Sequence, residues 1–394
     1  MPLRIGHTER GYQQAKTIIG AVPDCEYVLV RDWYSALRRV HELLGRPRVM
    51  ARTVADARFR FRDFDLSPVD LVHLYNGVSY GSRAWISTFE TGLPRFGNVA
   101  RQRLSDPQRL RADVRTVDAL ERLASRPCKR LIAHSRNAVC MQTEILEIFP
   151  EYRDAILAKT VAIPVGQPAF RSSVAARPLP GAGSRSLRAM LVGHDFFRKG
   201  GREVLEVLDG LRAAGYPIQL TIVSVMGVPT YASRAGIDGV SWARTFIAER
   251  REWITHFPSL PSATLFEQIE SCDIGLLPSY AETYGFAVLE FQAHGVPVIT
   301  TDVRALPEIN PPDCGWLIPV PRRPNGEAIY NEPGGSERVS DAIRSGLERT
   351  IREIFEDPGA LERRGASALA RIRSEHSPEA TATALKQIYV EAVG

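Results

Sequence analysis

The feature that most constrains the fold of this 394-residue chain is an alternation of short apolar runs with amphipathic helical runs, which occurs twice. Between the two series lies a break at 167–186 that contains three prolines, two glycines and four serines. Alternation of this kind predicts βαβ units around a parallel sheet, and the break predicts a linker. The sequence therefore predicts an α/β protein of two doubly wound domains in tandem.

The predicted elements follow this alternation along the whole chain. In the first series we expect strands at 27–32, 69–76, 84–90, 129–135 and 160–166, and a helix at 33–45. In the second we expect strands at 188–193, 218–225, 253–257, 273–279 and 297–301, and helices at 202–215 and 286–295. Residues 226–252 resemble a loop-rich insertion, and the tail from about 337 predicts three helices broken at 357–359 and 377–378. The predicted domains are 1–170 and 187–377, joined by a linker at 171–186. An open alternative is that a last helix, about 378–394, packs back on the first domain.

Composition excludes several classes of protein. Hydrophobic residues make up 44% and charged residues 24% of the chain, which is typical of a globular protein and excludes disordered and fibrous classes. No run approaches the ~18 to 20 apolar residues of a membrane span, and the first residues lack the apolar core of a signal peptide. Five cysteines without a C-x-x-C pair predict neither a disulfide framework nor a zinc site. We expect a soluble cytoplasmic protein.

One segment has a local excess of positive charge. Residues 101–130 contain nine basic and four acidic side chains, with apolar residues at helical spacing. This predicts an amphipathic helix with a basic outer face. The alternatives are a solvated helix and a contact with an anionic partner, such as a charged acceptor or the lipid headgroups of the inner membrane face. No nucleic-acid-binding signature accompanies the charge, so no nucleic-acid partner is predicted.

Two patterns next to each other, at 57–65, have an ordinary explanation. In 57–64 arginines alternate with aromatic residues, which predicts a strand with one buried aromatic face rather than a platform for nucleic-acid bases. The D-x-D at Asp63 and Asp65 has the spacing of metal-dependent sugar transferases. It lies far from every phosphate-binding signal, so we interpret it as surface carboxylates and predict no metal site.

The segment 278–308 carries the clearest chemical signal. It predicts a strand, a tight loop at Gly285 and a helix at the carboxyl end of a parallel sheet, where doubly wound folds bind ligands. The start of such a helix presents free N–H groups and a partial positive charge, which suit a diphosphate. Glu282 precedes the helix and could reach a sugar hydroxyl. Glu290 lies more than one turn inside it and could accept from two ribose hydroxyls.

The same segment resembles the donor-binding core of retaining glycosyltransferases of family GT4, whose hallmark is E-x7-E, here Glu282 and Glu290. The context supports the resemblance: Pro278-Ser279, Tyr284-Gly285, 295–298 and 306–308 match in order and spacing. The resemblance implies the GT-B fold, in which two Rossmann-like domains face each other across a cleft. It also implies a nucleoside diphosphate sugar as donor and a same-face transfer in which the leaving phosphate helps to deprotonate the acceptor.

A second match lies upstream, in the segment 191–201. In the family, a basic pair in this loop clamps the donor diphosphate, so Arg198 and Lys199 take that role by resemblance. Lysine is rare in this chain, which supports a specific need for the compact ammonium of Lys199. The other residues expected around the nucleotide are Gly193, Tyr284, Gly285, Phe286, Glu290 and, near the base, Phe257.

The first domain matches the family less closely. No glycine-rich loop follows the first strand at Gly6, and Glu90 stands where the family often has a histidine. Glu90 is therefore either a catalytic group near the reacting sugar or a structural carboxylate paired with Arg95. His73 is either a hydrogen-bonded strand-end histidine or a catalytic group.

From this evidence we predict a metal-independent retaining glycosyltransferase without a cofactor. It would transfer a hexose-type sugar to a glycan, a lipid-linked acceptor or a small molecule. The predicted catalytic residues are Arg198, Lys199, Glu282 and Glu90. The alternatives are a non-catalytic nucleotide-sugar-binding subunit and a nucleotide-sugar epimerase on the same fold.

Overall fold

The computed structural model describes residues 1–8, 11–45, 54, 56–174, 185–228, 231–233 and 236–394, with the backbone alone at 101–104. The chain divides into two compact units. Unit 1 comprises Met1–Gly166 and His376–Gly394, and unit 2 comprises Gln167–Glu375. The first segment of unit 1 thus ends at Gly166, whereas the predicted boundary is residue 170. Most of the predicted linker, from 175 to 184, lies outside the described residues.

Unit 1 is built on a parallel sheet. Its strands are β1 (Leu3–His7), β2 (Cys25–Leu29), β4 (Leu71–Tyr75), β6 (Trp85–Phe89), β7 (Cys128–Ala133) and β8 (Thr160–Ala162), in the order β2-β1-β4-β6-β7-β8. A separate parallel pair joins β3 (Arg60–Phe61) to β5 (Val78–Ser79). The described helices are α1 (Tyr12–Thr17), α2 (Trp33–Leu43), α3 (Gly97–Ser105), α4 (Pro107–Arg111), α5 (Val114–Ala124), α6 (Arg136–Ile148), α7 (Pro150–Leu157) and α15 (Pro378–Val393).

The last helix, α15, belongs to the core of unit 1. Leu385, Ile388 and Tyr389 are buried with Ile5 and Ile86 in one apolar cluster against the sheet. Burial of such side chains contributes roughly 1.5–3 kcal/mol each, which explains why the chain end returns to this unit.

Two predictions about unit 1 are wrong. The basic segment 101–130 forms three helices, α3, α4 and α5, instead of one. Asp106 and Asp113 interrupt it, because their carboxylates accept from Arg109 N at 3.0 Å and Thr116 N at 3.0 Å and cap the next helix. The strand expected at 57–64 is confined to Arg60–Phe61. The backbone is helical or turned just before it, at 56–59, and enters the left-handed region after it, at Phe64 and Asp65, with φ of 55° and 57°.

Unit 2 contains the second parallel sheet. Its strands are β9 (Leu187–Val192), β10 (Ile218–Val223), β11 (Ile254–Phe257), β12 (Ile274–Leu277), β13 (Val298–Thr301) and β14 (Gly315–Ile318), in the order β11-β10-β9-β12-β13-β14. The described helices are α8 (Gly201–Ala213), α9 (Ile237–Ala248), α10 (Ser262–Ser271), α11 (Phe286–Ala293), α12 (Leu306–Ile309), α13 (Gly335–Glu356) and α14 (Gly359–Glu375). The strand order reverses between β9 and β12, so the switch point where doubly wound sheets bind ligands lies at the carboxyl ends of these strands.

Two further comparisons with the sequence concern the end of the chain and the insertion. The three C-terminal helices are confirmed as α13, α14 and α15, with breaks at the predicted Asp357 and Ser377. The segment 226–252 is not all loop, because α9 occupies 12 of its residues. Within the described part of the chain, no helix combines the length and the hydropathy required to cross a membrane.

Candidate active site

Two loops leave the second sheet at its switch point, 193–200 after β9 and 278–285 after β12. The strands are hydrogen-bonded neighbours, with Leu191 beside Leu276, so their loops start side by side. Each loop ends in a left-handed glycine that precedes a helix, Gly200 at φ 74° before α8 and Gly285 at φ 107° before α11. A Cβ at Gly200 would lie 2.3 Å from the Pro278 carbonyl oxygen, so only glycine allows this close contact between the loops.

A buried ion pair joins the two loops. The Lys199 ammonium contacts Glu282 Oε2, and the side chains are 9% and 8% exposed. Burial lowers the pKa of Lys199, although the Glu282 charge opposes this change. Burial alone would raise the pKa of Glu282, but the charges of Lys199 and Arg198 outweigh it and lower that pKa below its usual value. The loops therefore hold a carboxylate and a cation together out of water.

Arg198 connects the same two loops through the main chain. Its Nη1 donates to the Ala281 carbonyl oxygen at 2.9 Å, and its Nε donates to Asp195 Oδ2 at 3.3 Å. The Arg198 carbonyl oxygen in turn accepts from Tyr280 N at 2.9 Å. The guanidinium stays partly accessible, with 14% of the side chain exposed, so it can still meet an anion from solvent.

Gly193 makes room for the cation. A Cβ at this position would lie 2.9 Å from Lys199 Cε, so the absence of a side chain allows the lysine stem to pass along the loop. The structure thus brings together Gly193, Arg198, Lys199 and Glu282, and Gly285 ends the same loop as Glu282. Their role in donor binding stays a prediction.

The remaining predicted residues of unit 2 are on α11, in the loop before it and at the end of β11. Glu290 is buried on α11, one turn inside the helix that Gly285 begins. Tyr284 is 1% exposed and packs edge-on against Phe286 with 5.3 Å between ring centres, so its side chain belongs to the core. Phe257 ends β11 at the edge of the sheet, two strands from β9. A nucleotide contact by these four residues stays a prediction.

In unit 1, Glu90 follows β6 at the carboxyl edge of the first sheet. It is 5% exposed, and Arg95 Nη1 donates to its Oε2 at 2.7 Å. Burial alone would raise the pKa of Glu90, but the charge of Arg95 outweighs this and lowers it. The interpretation of Glu90 as a structural carboxylate predicts this ion pair with Arg95. A catalytic role for Glu90 stays a prediction.

His73 lies inside β4 and is completely enclosed. Its ring nitrogens are 2.8 Å from the Tyr389 hydroxyl and 2.7 Å from Thr88 Oγ1. Burial lowers its pKa to about 3, so the ring is neutral near pH 7. The geometry matches a hydrogen-bonded core histidine.

Of the two D-x-D carboxylates, Asp65 is exposed as predicted and Asp63 is not. Asp63 is buried instead of lying on the surface, and its Oδ1 accepts from Asp65 N at 3.0 Å. Asp65 Oδ1 accepts from Arg83 N at 3.1 Å. Asp63 thus accepts from a backbone donor of its own turn, whereas Asp65 accepts from the more distant segment that contains Arg83. Over the described residues, no group of three or more His, Cys, Asp or Glu side chains could hold a metal ion, and metal independence stays a prediction.

Part of the positive charge of the basic segment of unit 1 is compensated. Arg111 pairs with Glu151 at 3.3 Å, and Arg115 pairs with Asp56 at 3.3 Å. These ion pairs reduce the positive surface that a membrane contact would require.

Sequence reasoning missed a third cation at the site, Arg304. It follows β13, and its Nη1 lies 3.5 Å from the Glu282 carbonyl oxygen. Its only signal in the sequence is its place between the strand and the 306–308 motif. The three cations therefore meet at the dipeptide Ala281-Glu282.

Comparisons with known proteins agree with this geometry. Residues 190–328 match the family model described as glycosyl transferases group 1. The chain is 30% identical to the glycogen synthase of Mycobacterium tuberculosis over 280 residues, which are 71% of this chain. The aligned region spans only 58% of that relative's length.

Solved structures show the fold. Sucrose-phosphate synthase from Thermosynechococcus elongatus superposes with a TM-score of 0.60 at 16% identity and covers 99% of this chain and 98% of its own. Anabaena HepE in complex with UDP gives a TM-score of 0.56 at 13% identity, with 98% and 99% covered. The predicted GT-B fold class is thus confirmed, and residues 190–328, which contain both loops and all three cations, match the glycosyl transferases group 1 pattern.

Proposed function

We propose that this chain is a retaining glycosyltransferase that transfers a hexose from a nucleoside diphosphate sugar to an acceptor. The observation that carries the proposal is the buried Lys199–Glu282 pair beside Arg198 at the switch point of unit 2. A doubly wound domain binds ligands at this point, and a diphosphate is the ligand that two cations and two helix starts fit best.

The chemistry follows from where charge develops. As the bond between the anomeric carbon and the phosphate oxygen breaks, its electron pair goes to the leaving diphosphate and the sugar becomes oxocarbenium-like. Arg198, Lys199 and the start of α11 stabilise this charge, each by roughly 3 kcal/mol in a site without water. The acceptor oxygen then bonds to the anomeric carbon on the same face, and its proton passes to the leaving phosphate.

The two glutamates would hold the parts of the donor that do not leave. Glu282 would accept from a hydroxyl of the transferred sugar, and Glu290 from the two ribose hydroxyls. A uridine nucleotide is our first choice for the donor, because HepE, which shares the fold, was solved with UDP. The glycogen synthase relative supports glucose as the sugar to test first.

The fixed cations do the work that a divalent ion performs in D-x-D enzymes, so we propose that transfer needs no metal. Turnover should survive EDTA. A loss that Mg²⁺ or Mn²⁺ restores would contradict this part of the proposal.

A non-catalytic subunit that only binds a nucleotide sugar is the second candidate, and the neutralised Glu90–Arg95 pair in unit 1 favours it. An epimerase on the same fold would convert the donor without an acceptor. Hydrolysis of UDP-glucose by the isolated chain would argue against the subunit, and an epimerised sugar nucleotide among the products would identify the epimerase.

The first experiment is a thermal-shift panel of UDP, GDP and ADP. A nucleotide at 100 times its Kd stabilises the folded protein by about 2.7 kcal/mol, so the true base stands out. NMR of the product formed from the matching donor then gives the anomeric configuration. Retention is expected, inversion would refute the mechanism, and binding of none of the three nucleotides would refute the donor site.

A further inference from the structure

Arg304 has a backbone conformation that non-glycine residues rarely adopt. Its φ is 46°, in the left-handed region, in the loop that follows β13. The surrounding chain holds it there, because Arg304 N donates to the Gly326 carbonyl oxygen at 2.9 Å. Strained residues persist only where neighbouring contacts fix them, and they are frequent at functional sites.

The side chain of Arg304 reaches in two directions. Its Nη2 donates to Glu327 Oε1 at 2.7 Å, and the two side chains are 10% and 12% exposed. Its Nη1 lies 3.5 Å from the Glu282 carbonyl oxygen. Burial alone would lower the pKa of Arg304, but the charge of Glu327 outweighs it and raises that pKa, so the guanidinium is a permanent cation.

These contacts hold the loop 278–285 from a second neighbour, the loop that follows β13. Arg198 and Lys199 fix 281–282 to the loop after β9. Arg304 connects the same dipeptide to the segment around 322–328, which is closed by a bridge between Arg322 and Ala328. Glu282 is therefore held between three cations that belong to two different neighbouring loops.

We propose that Arg304 is a positioning residue for the transfer reaction: through Glu327 and the main chain at Glu282, it holds the Lys199–Glu282 pair in its reactive geometry. The inference rests on the proposed function. Because the charge that the cations face grows in the transition state, a small displacement of the loop should lower kcat more than it weakens donor binding.

The test compares Arg304→Gly, Arg304→Lys, Glu327→Gln and the double change Arg304→Gly/Glu327→Gln with the wild type. Arg323→Ala is the matched control, because Arg323 lies on the same segment and its side chain pairs with Glu332 at 3.1 Å. We measure kcat and KM with UDP-glucose, the Kd of UDP, the thermal midpoint, and hydrogen exchange of the amides at 281–286.

In Arg304→Gly we expect kcat to fall about 10- to 100-fold, with donor KM and the Kd of UDP changed less than about threefold. Exchange at 281–286 should rise, Arg304→Lys should recover part of kcat, and Arg323→Ala should match the wild type. Since glycine relieves the strain at φ 46°, the double variant should melt no lower than Glu327→Gln.

Two outcomes overturn the inference while the proposed function survives. One is an active wild type whose Arg304→Gly variant keeps its kcat. The other is a loss of kcat that tracks a lower melting temperature in the double variant, with exchange spread over the whole of unit 2, because this is what a purely structural ion pair would give. A wild type that neither binds UDP, GDP or ADP nor uses their sugars refutes the proposed function itself.

Discussion

Replacement of Lys199 by methionine tests the buried pair most directly. Methionine keeps most of the stem that passes Gly193 and removes only the charge. Removing one partner of a buried pair costs about 3–5 kcal/mol, because the other charge stays buried without compensation. Arg198 still acts on Glu282, so we expect the lower end, about 3 kcal/mol in the free energy of unfolding. At an m-value near 3 kcal/mol/M, this corresponds to roughly 1 M in the urea midpoint.

The pH dependence of this loss identifies its cause. In the wild type the pKa of Glu282 lies below its usual 4.5, so the pair contributes stability above that pH and loses it as the pH falls through the folded pKa. In Lys199→Met, burial raises the same pKa, so the penalty is present at high pH and disappears as the carboxyl becomes protonated. The difference between the two proteins should therefore shrink from about pH 7 to about pH 4.

The assay is urea unfolding at several pH values, with hydrogen exchange of β9 and β12 amides to follow unit 2 alone. The double variant Lys199→Met/Glu282→Gln should recover most of the lost stability and none of the transferase activity. Arg202→Met is the matched control on α8, because its pair with Glu206 is exposed on the arginine side and should cost at most about 1 kcal/mol. A loss that is independent of pH, or a double variant no more stable than the single one, would refute the reasoning.

Three other predictions concern separate parts of the molecule. Glu290→Ala should weaken UDP binding in calorimetry more than it lowers kcat, because ribose contacts change little in the transition state; an unchanged Kd would remove Glu290 from the donor site. The pKa of His73, about 3, and that of His134, about 4, lie below their usual 6.5, so the stability of unit 1 should decrease as the pH falls below about 6.5, by about 1.4 kcal/mol per pH unit for each ring. His73→Gln should halve the dependence of the free energy of unfolding on pH, measured by urea unfolding at pH values down to about 5. An unchanged dependence would show that His73 titrates normally. Since Arg111 and Arg115 are already paired, changing them and Arg109 to Gln should leave binding to phosphatidylserine vesicles and acceptor KM unchanged; strong binding that salt and this triple change both abolish would establish a membrane contact.

Local patterns in the sequence were sufficient for most strands of the two sheets and for the two loops of unit 2, although the strand Gly315–Ile318 was not predicted. The period of the apolar residues distinguishes strands from helices, and glycine at 200 and 285 marks where each loop turns into its helix. The E-x7-E pair and the Arg198-Lys199 pair are also local, so each could be assigned to the loop or helix that follows a strand without knowledge of the strand order. The same local reasoning failed where capping carboxylates broke a helix, at Asp106 and Asp113, because a charge pattern does not show which N–H groups a side chain will satisfy.

Only the tertiary structure decided which of these residues meet. Lys199 and Glu282 are 83 positions apart and form a pair because β9 and β12 are neighbours at the switch point. Arg304 joins them from the loop after a third strand, through a left-handed backbone that no propensity predicts. The burial of Glu282 and Glu90, whose effect on each pKa the neighbouring charges outweigh, likewise depends on packing from distant segments. Sequence periodicity is a property of neighbours along the chain, whereas charge pairing and desolvation are set by neighbours in space.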